Sequence, residues 1–143
     1  MKLPQNRTHK PIVSVNDYER MDAQYTPETD ARALSIGQST WDGEDISLKI
    51  WRHNGKQWKG NSEEMPIHRC LDLAILFLAS IQKDKDLPFP FCSLQPTVDR
   101  EDLFDKIRNF YENADNKRHI DARLAELRDL LNKWYEREGV KHV

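Results

Sequence analysis

The side chains best suited to chemistry fall in two neighbouring stretches, WRHNGKQW from Trp51 to Trp58 and NSEEMPIHRCLD from Asn61 to Asp72. A histidine on a hairpin followed by a second on a helix is the ββα-metal arrangement. In it one imidazole acts as general base while helix residues hold a divalent cation. His53, His68 and Glu64 are the catalytic candidates on this reading. His68 and Asp72, spaced i, i+4 on one helix face, are the metal-ligand candidates. The spacing is weak evidence by itself. His53 abuts an ordinary Asn-Gly turn, and no second histidine or asparagine follows on the helix at ligand spacing. A helix-entry charge cluster accounts for Glu63, Glu64, His68, Arg69 and Asp72 without any catalysis.

The first stretch has a second reading. Asn54-Gly55 is a strong signal for a two-residue type I′ hairpin loop. Such a loop sets His53 opposite Lys56 and Trp51 opposite Trp58, so one ribbon face carries Lys49, Trp51, His53, Lys56 and Trp58. These five are the binding candidates, since cationic groups beside flat aromatics can hold phosphates and stack bases. The formal net charge of −2 over 143 residues does not favour a nucleic-acid partner. Large aromatics are more often packed than displayed, so the tryptophans are expected to face inward. Residues 46–60 hold Lys49, Arg52, Lys56 and Lys59 and no acid, whereas residues 13–45 hold eight acids and two bases. The two regions are expected to neutralise each other on folding.

Other chemistries find no support. Ser35, Ser39 and Ser47 have no obvious base and no nucleophile-elbow glycines. Gly37, inside a strand pattern, points to a bulge or a close approach. Cys70 and Cys92 form no CxxC, so neither a zinc site nor a disulfide framework is indicated, and no cofactor is expected. The N-terminus shows no apolar leader. The longest apolar run, Leu73–Ala79, falls far short of the ~20 residues that span a bilayer. No membrane partner and a cytoplasmic location are expected.

These side chains need elements to position them. Residues 1–11 read as a basic arm, mobile at its start. Ile12–Val15 is a short strand candidate, and Asn16–Glu19 has the pattern of a capping box opening a short helix. Thr26-Pro27 marks a second helix start. Alternating patterns at 33–41 and 46–53, with a return strand at 56–60, give a three-stranded antiparallel meander. Residues 67–81 form a helix that is apolar all round from Leu73 to Ala79, and so should be surrounded by protein. Residues 83–98 are a proline-rich connector. Residues 99–113, then Ile120, Leu124, Leu127, Leu131 and Trp134 at heptad-like spacing, predict a C-terminal αα-hairpin. The fold class is α+β: a meander packed on a central apolar helix, within one domain over 1–143.

Across MDAQYTPETDARALSIGQSTWDGEDISLKIWRH and NSEEMPIHRCLDLAI the chain resembles a family of small bacterial proteins of unknown function, over about residues 11–76. The resemblance implies a bacterial, intracellular protein and carries no site residue across. The leading expectation is a non-enzymatic binding or assembly domain with a protein partner, most simply a second copy of itself. The alternative is a metal-assisted hydrolase of nucleic acid.

Overall fold

The structure, a computed structural model, describes residues 2–60 and 62–139. The chain divides into two compact units, Met1–Pro96 and Thr97–Val143. The first is α+β and holds a four-stranded antiparallel sheet in the order β1 (Lys10–Asn16), β2 (Ala31–Gln38), β3 (Ile46–Arg52), β4 (Glu64–Pro66). Helix α1 (Ile67–Ile81) follows β4 directly and lies against β3 and β4.

Register decides which residues share a face. Leu34 pairs with Ile50 and Ile36 with Leu48, which gathers the aliphatic residues on one side. Ala33 pairs with Trp51, Ser35 with Lys49 and Gly37 with Ser47, which gathers small residues around one indole on the other. Ala31, Ala33, Ser35 and Gly37 are buried, while Leu34 and Ile36 are only half-buried. The better-covered side of this sheet is therefore the small and polar one. What covers it is the N-terminal arm: Leu3 is 9% exposed and His9 0%.

The sheet has four strands where the sequence pattern gave three. Ile12–Val15 lies within β1, but residues 56–60 form no return strand. His53 bridges Trp58, so the loop is 54–57 and not a two-residue turn. The Asn54 side-chain carbonyl accepts from the backbone N–H groups of both Lys56 and Gln57, and Gly55 alone of the pair takes positive φ, at 93°. This side-chain-capped loop replaces the type I′ turn. Trp58 thus lies opposite His53, not opposite Trp51. Farther along, Glu64–Pro66 pairs with β3 as β4.

Two further expectations are corrected. The capping box at Asn16 and the start at Thr26-Pro27 give no α-helix; single 3₁₀ turns stand at Tyr18–Arg20 and Ala23–Tyr25. Asp17 there takes a left-handed φ of 56° and caps nothing with its side chain. Helix α1 is not surrounded: Ala79 is its one buried residue, while Leu71 and Leu73 are each 57% exposed.

The second unit contains α2 (Asp105–Glu112) and α3 (Ala114–Arg137), preceded by a 3₁₀ turn at Glu101–Leu103. They meet at Asn113. Its side chain accepts from the N–H groups of Asp115 and Asn116 and so caps α3. The hydroxyl of Tyr111 donates to Asp121, and Lys117 reaches both, tying the end of α2 to the first turns of α3. Leu127, Leu131 and Trp134, farther along the seam, are exposed.

Gly37 meets the expectation of a close approach. A Cβ there would overlap the Lys10 carbonyl, opposite the place where β1 bulges between Pro11 and Val13. Gly37→Ala is expected to lower stability by about 1–3 kcal/mol through this overlap. Urea unfolding checks it, with Gly43→Ala, which meets nothing within 4 Å, as the control.

Candidate functional site

Under the arm lies a chain of hydrogen bonds in which each partner fixes the next. Trp51 is 1% exposed, and its indole N–H donates to Ser35 Oγ at 2.8 Å. Ser35 Oγ lies 2.9 Å from His9 Nε2, and His9 Nδ1 lies 2.8 Å from Ser47 Oγ. The Ser47 hydroxyl donates to Glu64 Oε2 at 2.8 Å. Thr40 gives that carboxylate two more bonds, from its N–H and its hydroxyl. An indole only donates and an ionised carboxylate only accepts. The order of protons follows: Trp51 N–H to Ser35, Ser35 O–H to His9 Nε2, His9 Nδ1–H to Ser47, Ser47 O–H to Glu64. Every bond is made when His9 is neutral with its proton on Nδ1.

The electrostatics agree. Burial pushes the His9 pKa below its ordinary value; Glu64, 3.5 Å away, opposes this, and Lys49 adds to it. Burial works to raise the Glu64 carboxyl, but the bonds from Thr40 and Ser47 and the proximity of His9 outweigh it and hold it low. Lys49 sets its ammonium 4.0 Å from the centre of the Trp51 ring. Burial lowers its pKa, Glu64 opposes, and Arg7 lowers it further.

Ser35, His9 and Glu64 have the residue types of a hydrolytic triad, but the arrangement cannot work as one. The imidazole rides on the segment that covers the serine. Any movement that lets substrate reach Ser35 carries its base away. Ser35 Oγ also already accepts the indole N–H.

The residues singled out by sequence are distributed as follows. His53 is buried, its Nδ1 accepts from Gly55 N–H, and its ring meets Trp58 edge-on at 4.9 Å. Trp58 in turn stands edge-on to Trp51 at 5.8 Å. Lys56 is exposed in the loop. The five binding candidates thus split: Trp51 and His53 are enclosed, Trp58 and Lys49 half-enclosed, and Lys56 lies outside. Glu64 joins the His9 network. His68, exposed, and Asp72 lie on α1. The two histidines do not converge. Pro66, next to α1, pairs with Ser47, while His53 lies six residues farther along β3, about 20 Å at strand spacing. Among the described residues no group of three His, Cys, Asp or Glu side chains is placed to hold a metal ion.

The mutual neutralisation expected between residues 13–45 and 46–60 centres on Asp30. Its carboxylate pairs with Arg52 and with Lys59, and Arg52 also pairs with Glu63. These bonds hold Asp30 and Glu63 below their usual range.

The opposite side of the sheet is open. Ile12 is 65% and Val13 63% exposed on the edge strand β1. A groove of about 330 Å³ runs from Val13 and Val15 past Leu34 and Ile50 to Met65 and Cys70. With the exposed residues of α1 it makes one side of the unit predominantly aliphatic. Among the described residues no helix is long and apolar enough to cross a membrane.

Fold and site define a small α+β domain whose sheet is closed by its own N-terminal arm on one side and left apolar and open on the other. The chain belongs to the family of unknown function DUF6530, whose profile matches residues 1–94. That match includes the arm and ends close to the boundary between the two units. No curated protein and no solved structure matches the chain.

Sequence reasoning missed His9 and Leu3. One signal was available: an apolar residue and a histidine in an otherwise polar, exposed segment. Trp51→Ala is expected to lower stability by about 3–5 kcal/mol, as for other buried large aromatics. Ser35→Ala, which strips partners from both the indole and His9, should cost about 1–3 kcal/mol. Denaturant titration monitored by circular dichroism measures both.

Proposed function

We propose that the protein is a non-enzymatic assembly domain that self-associates through the aliphatic side of its sheet and helix α1. The observation that carries this reading is α1 itself. A helical stretch apolar around its whole circumference, as Leu73–Ala79 is, is stable only when enclosed. Yet Leu71, Leu73, Ile75 and Leu76 are all exposed. Burying each is worth roughly 1.5–3 kcal/mol.

A second copy is the occupant that needs no charge complement, which suits a face with few ionisable groups and a chain of net charge −2. Two-fold pairing of one apolar patch with itself is also the commonest closed assembly. The tryptophan side takes the other role, as the covered half that stiffens the sheet.

In sedimentation equilibrium the chain should weigh twice its 16.9 kDa. Val13→Lys and Leu73→Lys should each give a monomer with unchanged far-ultraviolet dichroism. A monodisperse monomer from the unaltered chain overturns the reading.

A further inference from the structure

We propose that the His9 network is a pH-operated latch, holding the N-terminal arm over Trp51 at neutral pH and releasing it in mild acid. The geometry supplies the trigger. In the closed state His9 Nε2 is an acceptor, because the Ser35 hydroxyl points to it while Ser35 Oγ takes the indole N–H. Protonation turns Nε2 into a donor. Ser35 Oγ then faces two donors, and its own proton loses its acceptor in a site that His9 seals from water. Nδ1 already donates to Ser47, so the charge adds no new bond there; what it gains is the attraction of Glu64, 3.5 Å away, which burial outweighs.

The arm is held by few groups. Among its described residues only Leu3 and His9 are buried; Lys2, Gln5, Asn6, Arg7 and Thr8 are exposed. Thr8 adds one hydroxyl contact to Thr40, and Lys10 bonds the carbonyls of Gln5 and Arg7 within the arm itself. Once the imidazole leaves, Leu3 alone keeps the arm on Ala33 and Trp51.

The charges around His9 set the sign. Glu64 on β4 favours the imidazolium; Lys49 on β3 opposes it, and Arg7 of the arm faces Lys49. Burial outweighs the Glu64 attraction, so His9 titrates below 6.5 when closed and at its ordinary value when the arm is free. A histidine depressed in this way contributes its full stabilisation above 6.5 and loses it as pH falls through the closed-state value. Glu64, held low, contributes above its ordinary 4.5 and fails only in stronger acid. Release therefore begins on the histidine step. The residues that read it out lie on the arm side of the sheet, opposite the side proposed for self-association.

The test uses the full chain carrying Trp41→Phe and Trp134→Phe, so that Trp51 and Trp58 alone report. From neutral pH to about 5, emission should shift to the red and iodide quenching should rise several-fold. The Leu3 methyl resonances should lose the ring-current shift that Trp51 gives them, while the amides of β2 and β3 keep their exchange protection. In His9→Gln, which cannot be protonated, these changes should vanish. Persistence of the acid transition in His9→Gln overturns the latch, as does its absence from the unaltered chain. If His9→Gln does not fold, the His9 ring proton is followed by NMR in the unaltered chain. Ring titration coincident with loss of the Leu3 methyl shift supports the latch; titration with that shift retained overturns it.

Discussion

The burial of one indole sets the terms for the rest of the first unit. Trp51 is the largest fully buried side chain, and its N–H must find an acceptor or forfeit about 1–3 kcal/mol. Ser35, on the neighbouring strand, is that acceptor. With its oxygen so engaged, the serine has one proton left to place, and His9 is where it goes. Ser47 and Glu64 then complete the run. The same indole explains the small residues beside it: Ala33 directly opposite, and Ser35 and Gly37 further along the strand, leave room for the ring and for the arm above it. A larger residue at any of these positions would lift the cover.

A sheet usually turns its aliphatic side to the core and its polar side to water. This one covers its small and polar side more completely. The polar side can be closed because its hydroxyls, imidazole and carboxylate satisfy one another, and a fully paired polar network tolerates burial. The aliphatic side stays open because α1 packs chiefly on β3 and β4, at one edge of the sheet, and leaves Val13 on β1 at the other edge exposed. An open layer of this composition has a large free-energy incentive to find cover, and the sheet already supplies a groove in which cover can sit.

Much of the scaffold was legible from local pattern. The alternation of Ile46, Leu48 and Ile50 marked β3, the unbroken apolar run from Leu73 marked α1, and Gly37 marked a close approach. The misses share a physical origin. The loop at 54–57 follows from an Asn54 side chain capping two amides, a choice that Asn-Gly leaves open. Strand β4 is three residues long, too short for any period to show. His9 and Leu3 belong to a segment without periodicity, and their partners lie on β2 and β3, dozens of residues away. Tertiary contacts of this kind leave no local signature. The sequence reading placed the candidate site on the hairpin tip because His53 and two tryptophans are adjacent there. The structure moves its centre to the middle of the sheet, where Glu64 is the one catalytic candidate to take part.

The two sides of the sheet are not independent, because β2 and β3 supply both. Ser35 lies between Leu34 and Ile36, and Lys49 between Leu48 and Ile50. A slip of one residue between these strands would carry the aliphatic side chains of the shifted strand to the arm side and its other side chains to the open side. The network under the arm resists such a slip: Trp51 reaches Ser35, and His9 joins Ser35 to Ser47, only in the observed register. The enclosed polar side therefore fixes the geometry of the exposed apolar one. For the self-association proposed above, the rows of such a surface need to be held in place before contact, since ordering them on binding would subtract from affinity. On this argument the closed side is the template that keeps the open side in register.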